Sequence, residues 1–137
     1  MTFTTVGLSL LVSAAFSSGA SLVPPQPFVP AAETIQEYVA DYFYDAPIMV
    51  KIAKCESTFR QFDKNGSIHR GKVNRADLGV MQINEYYHGD TALKLGIDLY
   101  SIEGNVEYAR YLYEKEGTKP WLSSAKCWNK NEHIALK

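Results

Sequence analysis

Glu56, in the run Lys54-Cys55-Glu56-Ser57-Thr58-Phe59, and Asp77, at the head of Asp77-Leu78-Gly79-Val80-Met81-Gln82-Ile83-Asn84, are the residues of this chain best suited to chemistry. A carboxyl group half-buried among apolar neighbours keeps its proton near neutral pH and can deliver it to a departing oxygen, the step that breaking a glycosidic bond requires. A second carboxylate can then attack or stabilise the sugar cation. Gln82 and Asn84 alternate with Met81 and Ile83, so one pair can face the interior while the other presents amides, which both donate to and accept from hydroxyl and N-acetyl groups. Tyr86 and Tyr87 follow, with rings that can stack on a sugar face or simply pack. Each residue also has a plainer reading: Glu56 as solvated surface, Asp77 as a turn residue bonding its own backbone, the amides as partners for buried backbone around a groove.

These residues need elements to hold them. Asp45 as cap, Pro47 in a first turn, and Ile48, Ile52 and Cys55 at steps of four and three predict a helix that ends near Glu56. Before it, Ile35, Val39 and Tyr42 mark another helix from about Ala32. After Glu56 the periodicity stops, and Asn65-Gly66 reads as a two-residue hairpin turn, with Ser67 to Arg70 returning as a strand. Downstream, Thr91 to Leu95 predicts a short helix closed by Gly96, and Ser101 caps a longer one through Ile102, Val106, Ala109 and Leu112 that stops at Gly117. Glu114-Lys115-Glu116 reads as a solvated face, and Trp121 as core or as cleft lining.

Glu56-Ser57 with an aromatic two positions on, followed by Gly79-Val80-Met81-Gln82-Ile83-Asn84, resembles the signature of the lysozyme-like superfamily, which includes lytic transglycosylases and C-type lysozymes. The likeness runs from the Pro47 helix to the Asn105 helix, more weakly to Trp128. It implies an α+β, predominantly α fold with a small β-hairpin flanking a glycan-binding cleft. It also implies a muramidase that cleaves the β-1,4 bond between N-acetylmuramic acid and N-acetylglucosamine in peptidoglycan. On this resemblance Glu56 is the general acid and Asp77 the second carboxylate. Gln82 and Asn84 line the cleft, and Asn105, near the start of its helix, closes the groove floor. Tyr86 is the aromatic candidate at the cleft edge. The resemblance calls for no cofactor and no metal, and implies a monomer acting on glycan strands. Some of the small enzymes it resembles serve secretion or DNA-transfer apparatus. The Tyr-Asn-x-Gly-like stretch of the larger transglycosylases is not found after the Asn105 helix, and this leaves hydrolysis and anhydro-forming transglycosylation both open. A non-catalytic glycan-binding module that keeps the groove is the alternative.

Composition fits one small domain: 137 residues, 46% apolar, with net charge −1, which gives no basic footprint for nucleic acid. Val6 to Phe16, with Ser18-Gly19-Ala20 behind it, reads as a signal peptide over residues 1–20 or as an uncleaved membrane anchor, although no Lys or Arg precedes Lys51. Residues 21–31, with Pro24-Pro25-Gln26-Pro27 and Pro30, read as a stiff linker, 32–129 as the catalytic domain and 130–137 as a tail. Such a chain is secreted or extracytoplasmic, and its two cysteines then invite a Cys55–Cys127 bridge bracing Glu56. A zinc site from Cys55, Cys127, His69 and His88, or a nucleophilic Cys55, competes with that bridge but lacks a close ligand pair or other local support.

Overall fold

The computed structural model describes residues 34–130; the signal, the linker and nearly all of the tail lie outside the described residues. The elements run α1 (Ile35–Tyr42), α2 (Pro47–Ser57), β1 (Asp77–Leu78), β2 (Ile83–Asn84), α3 (Glu85–Leu95), α4 (Ile102–Glu116), a 3-10 segment (Lys119–Ser124) and α5 (Ala125–Trp128). The chain is thus mostly helical with one small antiparallel sheet, in which Asp77 pairs with Asn84 and Leu78 with Ile83.

Thr34 caps α1 through a reciprocal box: its Oγ1 accepts from Glu37 N–H at 3.2 Å, and Glu37 Oε2 accepts from Thr34 N–H at 2.8 Å. Val39 and Phe43 then drop into a core shared with Met49, Ile52 and Ala53 of α2, Leu78 to Met81 of the sheet region, and Val106, Ala109 and Leu112 of α4. The start of α2 corrects one expectation. Ala46, not Asp45, occupies the cap position and makes no side-chain bond, while Pro47 at the first turn needs no N–H partner. Asp45 is instead held by Arg110 of α4, at 2.6 and 3.2 Å, and the guanidinium carbon lies 4.8 Å from the centre of the Phe43 ring.

The hairpin differs as well. Phe62 and Ile68 form an isolated bridge around a turn in which Gly66 N–H donates to Asp63 O at 2.9 Å. Only Gly66 takes a positive φ, +80°, and Asn65 does not, so this is a longer turn with glycine at its left-handed position rather than a two-residue one. The sheet itself lies later, its two strands flanking the loop of residues 79–82. Helix α3 begins at Glu85, capped by Asn84, six residues before the expected start, and ends at Gly96 as expected. Helix α4 has the expected Ser101 cap and Gly117 stop. Among the described residues no helix is long and apolar enough to cross a membrane.

Cys55 on α2 and Cys127 on α5 form a disulfide, with their Cα atoms 6.0 Å apart. Both thiols are therefore consumed, which removes the ligands and the nucleophile that the competing metal and cysteine readings require. The histidines are engaged elsewhere: His69 Nδ1 lies 2.7 Å from Asp63 Oδ1, and His88 Nδ1 lies 3.3 Å from the Tyr108 hydroxyl.

Candidate active site

Glu56 sits one residue before the end of α2, and the chain leaves that helix abruptly. Thr58 and Phe59 adopt φ of +56° and +57°, a left-handed pair that is costly for a β-branched and an aromatic residue. Ser57 compensates. Its buried hydroxyl donates to Val80 O at 2.8 Å and accepts from Arg60 N–H at 3.0 Å, tying the helix end to the loop between the strands. The side chain of Glu56 is thereby aimed into a cleft of about 260 Å³ instead of outward into solvent.

The cleft is lined by Asp77, Gln82, Ile83 and Asn84 of the sheet region, Tyr87 and His88 of α3, Leu112 of α4, and Pro120, Trp121 and Ser123 of the 3-10 segment. Glu56 and Asp77, 21 positions apart in sequence, thus share one opening. Burial pushes the Glu56 carboxyl above its ordinary value. A hydrogen bond from Ser124 works in the opposite direction, and the negative charge of Asp77 adds to the rise. Two carboxyl groups in one cleft, one biased to hold a proton, can serve as acid and as charged partner.

Asp77 makes no turn-type bond with its own backbone. Its Oδ1 accepts from Asn84 Nδ2 at 2.7 Å, across the β1–β2 pair. Asn84 holds a second partner, since its Oδ1 also caps α3 by accepting from Tyr87 N–H at 3.2 Å. Gln82 takes φ +51° and donates from Nε2 to Gly79 O at 2.8 Å, so both amides shape the cleft wall while lining it.

Two residues expected at the groove stand elsewhere. Tyr86 is 83% exposed and outside the lining, edge-on to Tyr87 at 5.2 Å; it is Tyr87 that borders the cleft. Asn105 is fully buried behind the cleft. There it donates to Leu78 O and Leu99 O and accepts from Met81 N–H, so it fixes the backbone that carries the lining residues without reaching the opening.

Ser124 is the residue that sequence reasoning missed. Its Oγ donates to Glu56 Oε1 at 2.5 Å across 68 positions of sequence. The signal that could have found it is the cysteine pair, because a Cys55–Cys127 bridge brings the 121–127 segment beside Glu56. Trp121 is both core and lining: 3% exposed, it donates from Nε1 to Met81 O at 3.0 Å. A larger groove of about 440 Å³ beside α3 contains Glu85, but Arg70 and Tyr100 bind that carboxylate and hold it below its ordinary value, so it offers no proton donor.

Compared with protein-family models, curated proteins and solved structures, the chain finds no match.

Proposed function

We propose that this protein is a peptidoglycan-cleaving glycosidase of lysozyme-like architecture, with Glu56 as general acid and base. The observation that carries this reading is the half-buried Glu56 carboxyl, biased toward its protonated form and sharing a cleft with Asp77. Glu56 protonates the leaving O4 of a glycan strand lying in the cleft. Asp77, oriented by Asn84, supports the positive charge that develops on the sugar. Glu56, now a carboxylate, takes a proton from the attacking water or from a hydroxyl of the sugar itself, giving a reducing end or an anhydro end respectively. The choice of the N-acetylmuramic acid to N-acetylglucosamine bond rests on the likeness of the Glu56-Ser57 and Gly79 to Asn84 runs to lysozyme-like enzymes. The disulfide suits an oxidising, extracytoplasmic setting.

The test is mass spectrometry of fragments released from purified peptidoglycan by wild type and Glu56→Gln. Reducing ends dependent on Glu56 identify a hydrolase, and anhydro ends a lytic transglycosylase. Release that persists in Glu56→Gln sinks the assignment, and no release by wild type leaves a groove that only binds glycan.

A further inference from the structure

The Ser124 hydroxyl stands at a junction of three groups. It lies 2.5 Å from Glu56 Oε1 and 3.0 Å from the Trp121 carbonyl oxygen, and accepts from the Trp128 indole N–H at 3.0 Å. A hydroxyl has one proton to give, so at any moment it serves either Glu56 or Trp121. The Trp121 carbonyl is not abandoned when Ser124 turns away, because Trp128 Nε1 also donates to it at 3.1 Å. The indole has one N–H, shared between the Trp121 carbonyl and Ser124 Oγ as a three-centre donor, so it leans toward the carbonyl when Ser124 turns away and never competes for the Ser124 proton.

We propose that Ser124 is a positioning residue whose hydroxyl turns with the protonation state of Glu56. The proposal rests on the reading of Glu56 as the acid and deepens it. With the cleft empty and Glu56 protonated, its O–H donates to Ser124 Oγ and Ser124 donates to Trp121 O; a glycan bound in the cleft draws that O–H round to the leaving oxygen. When the proton passes to the leaving oxygen, the hydroxyl hydrogen swings to the new carboxylate, and it swings back when Glu56 recovers a proton from the water or sugar hydroxyl. Ser124 loses no proton at any step. The donor is in place before the charge forms, so stabilising the conjugate base demands no movement of heavy atoms. Burial and the Asp77 charge both oppose that carboxylate, and the Ser124 bond is the influence that favours it. The other titratable groups on the cleft are Asp77 from the sheet and Tyr87 and His88 from α3; α4 and the 3-10 segment contribute only Leu112, Pro120, Trp121 and Ser123.

The experiment is an NMR titration of the Glu56 side-chain carboxyl in full-length wild type, Ser124→Ala and Ser124→Thr, with kcat and KM measured against pH on soluble glycan oligomers from peptidoglycan. In Ser124→Ala the Glu56 pKa rises and the alkaline limb of kcat moves up with it. The kcat falls by about tenfold to a hundredfold while KM holds. Ser124→Thr, which keeps the hydroxyl, restores both. Wild-type titration of Glu56 in Ser124→Ala, whatever the activity, would mark a merely structural role and overturn the proposal. Retained glycan release by Glu56→Gln is a separate outcome that overturns the parent reading and leaves the titration result standing.

Discussion

Gln61 and Asn105, both fully buried, hold consecutive peptide N–H groups of the loop that joins the two strands: Gln61 Oε1 accepts from Val80 at 2.9 Å and Asn105 Oδ1 from Met81 at 2.9 Å. Each is anchored from behind, Gln61 by donating to Tyr100 O and Ser101 O, Asn105 by donating to Leu78 O and Leu99 O. The loop that sets the cleft wall is therefore clamped to the segment leading into α4 by side-chain amides rather than by a long strand ladder. A two-stranded sheet of two residues per strand is too short to hold it unaided.

Gly79 is where this clamp is least tolerant of change. Its φ is +67°, and a Cβ there would lie 2.4 Å from Gln61 Oε1 and 2.8 Å from Asn105 Nδ2. Gly79→Ala must accept the left-handed strain and displace two buried hydrogen-bonding groups, together at least about 3 kcal/mol. Urea denaturation should show the midpoint falling by that equivalent with the slope unchanged, and a loss under about 1 kcal/mol would mean that the clamp gives way freely.

Glu56→Gln separates stability from chemistry. The folded state raises the carboxyl's pKa, so it binds the proton more tightly than the unfolded chain does. The stability linked to that proton is fully present below the ordinary carboxylate range and is lost as pH rises through the raised value. Glutamine has no proton to lose. Denaturation from about pH 4 to about pH 7 should show Glu56→Gln gaining stability relative to wild type, while glycan cleavage drops by about a hundredfold to ten-thousandfold at every pH. A stability difference that does not change with pH would show that Glu56 titrates as an ordinary surface carboxylate.

The parts of this structure legible in sequence were those whose signals are local. Ser101 and Gly117 mark the ends of α4, Gly96 closes α3, and Pro47 opens α2, because each acts within a turn of its own position. What could not be read depends on residues far apart in the chain. The partner of Asp45 is Arg110, 65 positions on, and the hydroxyl on Glu56 comes from 68 positions on. The start of α3 was obscured because Asn84 serves as strand residue, as the holder of Asp77 and as cap at once. Without that start the helical phase is undefined. Since neighbouring residues on a helix point about 100° apart, nothing local tells Tyr86 from Tyr87 as the ring that borders the cleft.

Asp77→Asn should move the pH profile in the direction opposite to Ser124→Ala. The Asp77 charge helps to keep Glu56 protonated, so its removal lowers the Glu56 pKa and shifts the alkaline limb of kcat to lower pH. Asparagine retains an oxygen for Asn84 Nδ2, so the β1–β2 contact survives. If Asp77 also supports the sugar cation, kcat falls by about a hundredfold to a thousandfold with the fold intact by circular dichroism. A shifted limb with nearly full kcat would confine Asp77 to tuning Glu56 and favour the single-glutamate, anhydro-forming route.

The disulfide closes a separation of 72 residues between α2 and α5. Its chief thermodynamic effect in the chain-entropy picture is on the unfolded chain, about 4 kcal/mol for a loop of that size. The hydrogen bonds that seat α5 and the 3-10 segment are independent of it: the Trp121 indole holds Met81 O, in the loop between the strands, and the Trp128 indole holds Trp121 O. The double variant Cys55→Ser, Cys127→Ser should therefore lose about 4 kcal/mol in denaturation while still folding at low temperature, and wild type kept in reductant should match it. Ser124 lies three positions before Cys127, so the Glu56 to Ser124 bond serves as a local reporter. If Glu56 titrates in the folded double variant as in wild type, α5 is held by its tryptophans and the bridge acts on stability alone. If its pKa rises as in Ser124→Ala, the covalent link also sets the geometry of the acid.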